Sequence, residues 1–454
     1  MMTVLASIFW LIITLGVLVT FHELGHFLLA RLFGVKVLRF SVGFGKPIWS
    51  RFDRYGTEIA VAPIPLGGYV KLLDERNCDV SASEKHNAYN HKPAWQKFLI
   101  MFAGPAFNFI LAFLLYWMMF VVGKPEIKPT IGEPTKLMEQ AGFSAKDQII
   151  EVDGEKVNTW SDVSMYLITA GLDRRDIQVT IKNNAGSVQE KNLKLSQLPS
   201  GIKESKMMSA IGLKAWQMPV PAVMGELSEG LPAAKAGLRK GDEIVAINGE
   251  TVEDWYQLSQ QISELSPPLT LTYVRNGQEF EARINQYVTD PDNPKRQVIG
   301  IRPIQPDEQV VDYAKSLYYE LSYGPLQAMP MAWQEMLKIT GKSLEMIGKL
   351  LVGKASLENL SGPITIAQVA NDSAARGFSW YLSFLALISL SLGIINLLPV
   401  PMLDGGQILF LLFEKVKGAP LSERFEIRAQ LLGMLMLVSL MTLAIYNDIL
   451  RTLS

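Results

Sequence analysis

Thr20-Phe21-His22-Glu23-Leu24-Gly25-His26 is the stretch around which the rest of the chain is read. Two histidines four positions apart on a helix project from one face, so both imidazoles reach one cation. Glu23 stands beside the first histidine, where it acts on water rather than on the metal. Residues 4–21 before the motif carry no charge, and Phe27 to Ala30 behind it are apolar. At about 1.5 Å rise per residue this run is long enough to span a bilayer, so it is read as a retained membrane helix. An ionisable group inside such a segment is functional by default, because burying it without a partner is costly.

Composition agrees with a membrane setting. Of 454 residues, 49% are hydrophobic, and the net charge of −1 makes no electrostatic case for nucleic acid. A single cysteine, Cys78, excludes an intramolecular disulfide and argues against a thiolate metal site. Of the four histidines, His86 and His91 sit in a polar loop and read as solvated, which leaves histidine chemistry to His22 and His26.

Four stretches are candidate spans: about 4–33, 98–122, 381–403 and 431–449. Ten Lys and Arg lie in 34–97 and four more in 407–428, whereas the chain ends have almost none. The positive-inside rule then places both connections in the cytoplasm, and the termini and the large middle region outside. Within the first loop, Ser41 to Lys46 and Glu58 to Lys71 read as short strands with Gly and Pro at their turns. The second is too apolar for a plain loop. A hairpin dipping into the membrane beside the metal site is expected, although an ordinary interfacial hairpin gives the same pattern. Ala103-Gly104-Pro105-Ala106-Phe107-Asn108 opens the second span. Gly104 permits close helix approach there, and Asn108 can bond across helices or face the site.

Between about Glu126 and Gln305 the chain turns polar and repeats itself. Asp147-Gln-Ile-Ile-Glu-Val-Asp-Gly-Glu155 recurs as Asp242-Glu-Ile-Val-Ala-Ile-Asn-Gly-Glu250, and Trp160 recurs as Trp255. The pattern resembles a bacterial PDZ domain, more closely in the second copy; such domains take a peptide as an added strand or serve as folded spacers. Residues 306–379 are amphipathic, with Met336, Ile339, Ile347 and Leu350 interleaved with Lys338, Lys342 and Lys349. A helix on the outer membrane surface or against the repeats fits them better than a further span.

The third span runs into Asn396-Leu-Leu-Pro399-Val-Pro401-Met-Leu-Asp404-Gly405-Gly406. Asp404 is the only carboxylate between Asp372 and Glu414, on the side of the membrane assigned to the histidines. Two histidines and one carboxylate leave a fourth zinc position open, as in hydrolases. An N-cap for the following helix would also place an aspartate here.

H-E-L-G-H in a first apolar helix, G-P-x-x-N-F opening the second, tandem PDZ-like repeats and a later N-x-x-P-x-P-x-x-D-G together resemble the site-2 protease family over nearly the whole chain. The resemblance implies an intramembrane zinc metalloendopeptidase with zinc (Zn2+) on His22, His26 and Asp404 and Glu23 as general base. It implies that Asn396 holds substrate or steadies the oxyanion. It also implies that Gly43 and Gly45, with Pro65, Gly67, Gly68 and Tyr69, pair with an unwound substrate strand. Substrates would be single-pass membrane proteins, such as an anti-sigma factor already trimmed by a first protease, and remnant signal peptides. The setting would be the inner membrane of a Gram-negative bacterium.

The expected fold is a polytopic α-helical membrane protein with four transmembrane helices, a membrane-associated β-hairpin and two tandem PDZ (α+β) domains. Its expected parts are a first helix (1–33), a loop with the re-entrant hairpin (34–97), a second helix (98–125), two repeats (126–216 and 217–305), an amphipathic linker (306–379), a third helix (380–406), a connection (407–429) and a fourth helix (430–454). Two other classes make different demands. A PDZ-bearing receptor or scaffold with a non-catalytic metal predicts that Glu23→Gln leaves function intact. A transporter wants polar residues spread over several spans, whereas here they cluster at one depth.

Overall fold

The computed structural model describes residues 2–76, 79–290, 293–419 and 421–453, so Cys78 lies outside them. Four helices among these residues are long and apolar enough to cross a membrane: α1 (Met2–Leu32), α2 (Ala94–Val122), α11 (Phe378–Asn396) and α13 (Glu423–Leu453). The helix α1 stops where Gly34 turns left-handed at φ +66°, letting Val35 N–H reach back to Ala30 O at 2.8 Å. Small residues bring α1 and α2 together. A Cβ on Gly25 would run into the carbonyl of Ala103, so the two backbones touch there.

The expected hairpin is a four-stranded sheet. Strands β1 (Val37–Phe44), β2 (Trp49–Phe52), β3 (Glu58–Val61) and β4 (Ile64–Leu72) order as β2-β3-β1-β4. The apolar 58–71 stretch is two strands, broken at Ala62-Pro63, because proline cannot donate to a ladder. Strand β3 runs parallel to β1 and β4 antiparallel to it. Ala30, Val35, Val37 and Ile100 form the buried seam between this sheet, α1 and α2. His86 and His91 are exposed, as expected, and His91 Nε2 lies 2.8 Å from Glu75 Oε2.

The repeats fold as two units with separate cores. After β5 (Lys124–Ile127), the first contains α3 (Lys136–Gln140), β6 (Gln148–Val152), β7 (Glu155–Lys156), α4 (Trp160–Leu172), β8 (Ile177–Lys182), β9 (Val188–Leu193) and α5 (Glu204–Ile211). The second contains β10 (Met224–Leu227), α6 (Pro232–Lys235), β11 (Glu243–Ile247), β12 (Glu250–Thr251), α7 (Trp255–Glu264), β13 (Leu269–Arg275), β14 (Gln278–Ile284), β15 (Val288–Asp290), β16 (Asn293–Val298) and β17 (Ile301–Pro303). Their sheets share one order, β7-β6-β8-β9 and β12-β11-β13-β14.

The amphipathic stretch forms α8 (Glu308–Leu317), β18 (Tyr318–Leu321), α9 (Pro325–Leu351) and α10 (Pro363–Arg376), with β18 pairing β5. One face of α9, with Ala328, Ala332 and Met336, is buried in the core shared with α2 and α11. Its lysines face α4. Lys338 Nζ sits 2.6 Å from Asp162 Oδ1, Lys342 lies over the Tyr166 ring, and Lys349 Nζ sits 2.8 Å from Asp173 Oδ2. Each pair is 176 positions apart, so α4 and α9 run parallel and in register. Burial alone would raise the Asp162 pKa. The Lys338 ammonium and the N–H of Asn158 outweigh it and hold that carboxyl below its ordinary range.

The third apolar helix ends at Asn396, not Leu403. Pro399 and Pro401 remove two donors and stop it. A separate amphipathic helix, α12 (Asp404–Lys417), follows.

Candidate metal centre

Two elements supply the ligands. From α1 come His22 and His26 on one face, and from the first turn of α12 comes Asp404; the ligand atoms of all three lie within 4.8 Å of one another. Asp404 is not a cap, since α12 begins at Asp404 itself and no side chain caps it. Its position comes from the two glycines behind it. A Cβ on Gly405 would strike the Leu397 carbonyl, and one on Gly406 the Val400 carbonyl, so the first turn of α12 rests on the backbone of the proline break. Met402 and Pro401 in turn meet α13 at Gly433.

The donor geometry fits a tetrahedral cation. His22 Nε2 and His26 Nε2 are 3.3 Å apart, and Asp404 reaches them at 3.2 and 3.5 Å. Ligands about 2.0–2.1 Å from a tetrahedral zinc stand roughly 3.3–3.4 Å from each other. His26 Nδ1 donates to the Ile100 carbonyl at 2.7 Å, and in the neutral imidazole this leaves the Nε2 lone pair facing the carboxylate. Asp404 Oδ2 is buried without a hydrogen-bond donor. Lone pairs converging on one point, with an orphaned carboxylate oxygen among them, describe a cation site.

The helix α2 completes the centre, a contribution the sequence reading left open. Ile100, Gly104 and Asn108 follow at four-residue spacing and so share one face. Ile100 accepts from His26. A Cβ on Gly104 would lie 2.7 Å from His26 Cε1 and 2.8 Å from His22 Cε1, so only glycine leaves room for both rings. Asn108 is fully buried, with its amide 3.1 Å from His22 Nδ1 and its Oδ1 lacking a donor. With Nε2 turned to the cation, Nδ1 carries the proton, and an amide presenting its oxygen satisfies both groups at once. Ser389 Oγ on α11 donates to the Asn108 carbonyl at 2.8 Å. The signal for Gly104 and Asn108 was their own four-residue spacing.

A family model for Peptidase family M50 matches residues 10–440. The chain belongs to peptidase family M50. Protease RseP of Yersinia pestis is 39% identical over 456 residues, covering 99% of this chain and 100% of that protein. The Regulator of sigma E protease of Haemophilus influenzae is 38% identical over 454 residues, with 99% and 100% covered. A Xylella fastidiosa protein named as a zinc metalloprotease is 40% identical over 450 residues, with 98% and 99% covered. This M50 peptidase is therefore a zinc metalloendopeptidase of the site-2 protease family.

The other residues singled out in the M50 sequence fall in two places. Gly68 packs β4 onto α1: a Cβ there would lie 2.8 Å from Val19 Cγ1 and 3.1 Å from Glu23 Cγ. Strand β4 is an outer strand of the sheet among the described residues, and Gly68 sets it against Glu23. Gly67 sits against the Phe44 ring, and Tyr69 Oη accepts from Arg39 at 3.0 Å. Pro65 lies in β4, with its side chain outside the described part. Gly43 lies in β1 where the pairing with β4 shifts register between Val42 and Phe44, and it is left-handed at φ +92°. Gly45 lies past the strand end. Asn396 closes α11, half-buried, with no hydrogen bond to its side chain among the described residues.

Proposed function

We propose that this M50 peptidase is an intramembrane endopeptidase that cuts transmembrane segments of single-pass proteins. The observation that carries the reading is the meeting of His22, His26 and Asp404 from two distant helices within a bundle of apolar helices. Those three residues would hold zinc through two Nε2 atoms and a carboxylate oxygen. Bound there, zinc supplies Lewis acidity, polarising a carbonyl and making water a nucleophile near neutral pH. Glu23 would take the water's proton on its carboxylate and deliver it to the leaving amine. Asn108 and the Ile100 carbonyl keep both imidazoles turned inward. Asn396 is assigned to holding substrate or steadying the oxyanion.

A helical substrate hides its carbonyls in i→i−4 bonds and must unwind before attack. The outer edge of β4, along Gly67, Gly68 and Tyr69, would offer replacement partners to the released backbone. A Gly-containing target should then be cut faster than an all-Leu one. Equal rates in a detergent cleavage assay would remove the unwinding step.

The two repeats are assigned as PDZ domains, a reading their shared sheet order supports. They are placed outside an inner membrane, as are both termini, with the metal centre near the cytoplasmic face. They would admit only substrates trimmed on the outer side, such as an anti-sigma factor or a remnant signal peptide, or bind a peptide themselves. The test of the activity compares zinc content and cleavage of a model membrane peptide for wild type and Glu23→Gln. A protease gives folded, zinc-loaded, inactive protein. A variant that still cleaves at the wild-type rate would overturn the role of Glu23, and a wild type that never cleaves would favour a scaffold.

A further inference from the structure

The edge of the sheet far from the metal centre has its own chemistry. Strand β2 and the turn after it expose Ile48, Trp49, Phe52 and Tyr55, each with over half of its surface free. Beside them opens a cleft of about 600 Å³ that also takes in Arg31, Arg51 and Arg54. Its one carboxylate is already used. Asp53 pairs with Arg31, and its second oxygen accepts the N–H groups of Tyr55 at 2.9 Å and Thr57 at 3.0 Å. Arg51 and Arg54 have no carboxylate partner among the described residues. Tyr55 gathers the charge, with the guanidinium carbons of Arg31 and Arg54 each 4.8 Å from its ring centre.

The depth of this cleft is set by Arg31, which stands in the last turn of α1. The apolar part of α1 has 29 residues, about 43 Å of helix against a hydrocarbon core of about 30 Å, so its end reaches the headgroups. The Arg31–Asp53 pair ties the β2–β3 turn to that level. Exposed Trp and Tyr beside unpaired Arg are the side chains that suit a headgroup layer: the rings enter the acyl boundary and the guanidinium groups meet phosphate.

We propose that the β2–β3 turn is a binding site for the anionic headgroup of a glycerophospholipid in the leaflet at the C-terminal end of α1. Arg51 and Arg54 take the phosphate, and Trp49 and Phe52 seat beside the glycerol and upper acyl chains. A soluble acidic peptide would satisfy the arginines but leave Ile48, Trp49 and Phe52 in water. Lipid contact at β2 then holds one edge of the sheet whose other edge, β4, lies beside Glu23. Only that last consequence rests on the proposed protease reading; the binding itself does not.

The test uses the full chain in detergent, loaded with phosphatidylglycerol or phosphatidylcholine and read by native mass spectrometry, so it needs no substrate. Wild type should retain phosphatidylglycerol in clear preference. The double variant Arg51→Gln/Arg54→Gln should lose about thirtyfold in that affinity, with zinc content and melting temperature unchanged. Trp49→Ser/Phe52→Ser should weaken both lipids while keeping the preference between them. Equal retention of the two lipids by wild type, or equal phosphatidylglycerol retention by wild type and the arginine variant, would overturn the site. Displacement of the lipid by millimolar inorganic phosphate would reassign the cleft to a free anion and overturn it too.

Discussion

Replacing Gly104 by alanine sets two effects against each other. In an exposed helix the change stabilises by about 1 kcal/mol, because alanine is the better helix former. At this position the new Cβ falls 2.7 Å from His26 Cε1 and 2.8 Å from His22 Cε1. Carbon atoms settle at about 3.5–4.0 Å, so each ring must retreat by roughly 0.7 Å or more. Separating the helices instead would give up the close backbone contact of Gly25 with the Ala103 carbonyl. Metal ligands tolerate about 0.2 Å, and a misplacement near 1 Å costs about a hundredfold in rate. Overlap therefore wins over propensity. Gly104→Ala is expected to fold, to lose most of its zinc by elemental analysis, and to cleave a model membrane peptide about a hundredfold more slowly. Full zinc content with activity within a few-fold of wild type would refute the reasoning.

Asn108→Leu removes the group facing His22 Nδ1, and zinc affinity measured by chelator competition should fall about 10–100-fold. Lys338→Met leaves Asp162 buried without its ion-pair partner, with only 9% of its side chain exposed. Hydrogen exchange in α4 should rise as for a loss of about 3 kcal/mol, and Asp162→Asn/Lys338→Met should recover most of it. The same contact depends on pH. The lowered pKa of Asp162 makes its contribution complete above the unfolded carboxylate value of about 3.9, and acid removes it as pH falls through the folded value. Burial alone would lower the Lys338 pKa, but Glu335 and Asp162 raise it overall, so that contribution lasts below the ordinary lysine value and goes as pH rises through the folded one. Docking of α4 on α9, followed by exchange against pH, should be tightest between these limits.

Much of the centre was legible because its signals are local. A four-residue spacing on a helix puts His22 and His26 on one face wherever that helix lies. Pro399 and Pro401, one residue apart, announce a break in the helix locally, although the exact stop at Asn396 moved the boundary and made Asp404 the start of α12 rather than the end of α11. The repeats declared themselves by identical spacing. The sheet was less legible: Trp49 to Phe52 is too short to announce a strand, and the parallel pairing of β3 with β1 joins segments that no turn signal links.

From its sequence alone this protein determined its ligand types, its apolar helices, its two repeats and the proline break before Asp404, because each depends on neighbours within a few turns. Tertiary structure decided which backbone edge faces Glu23, how α4 registers on α9, and that Ile100, Gly104 and Asn108 shape the metal centre. Those outcomes depend on the angle and distance at which separate elements pack, and a residue's spacing along its own helix carries no information about what lies across from it.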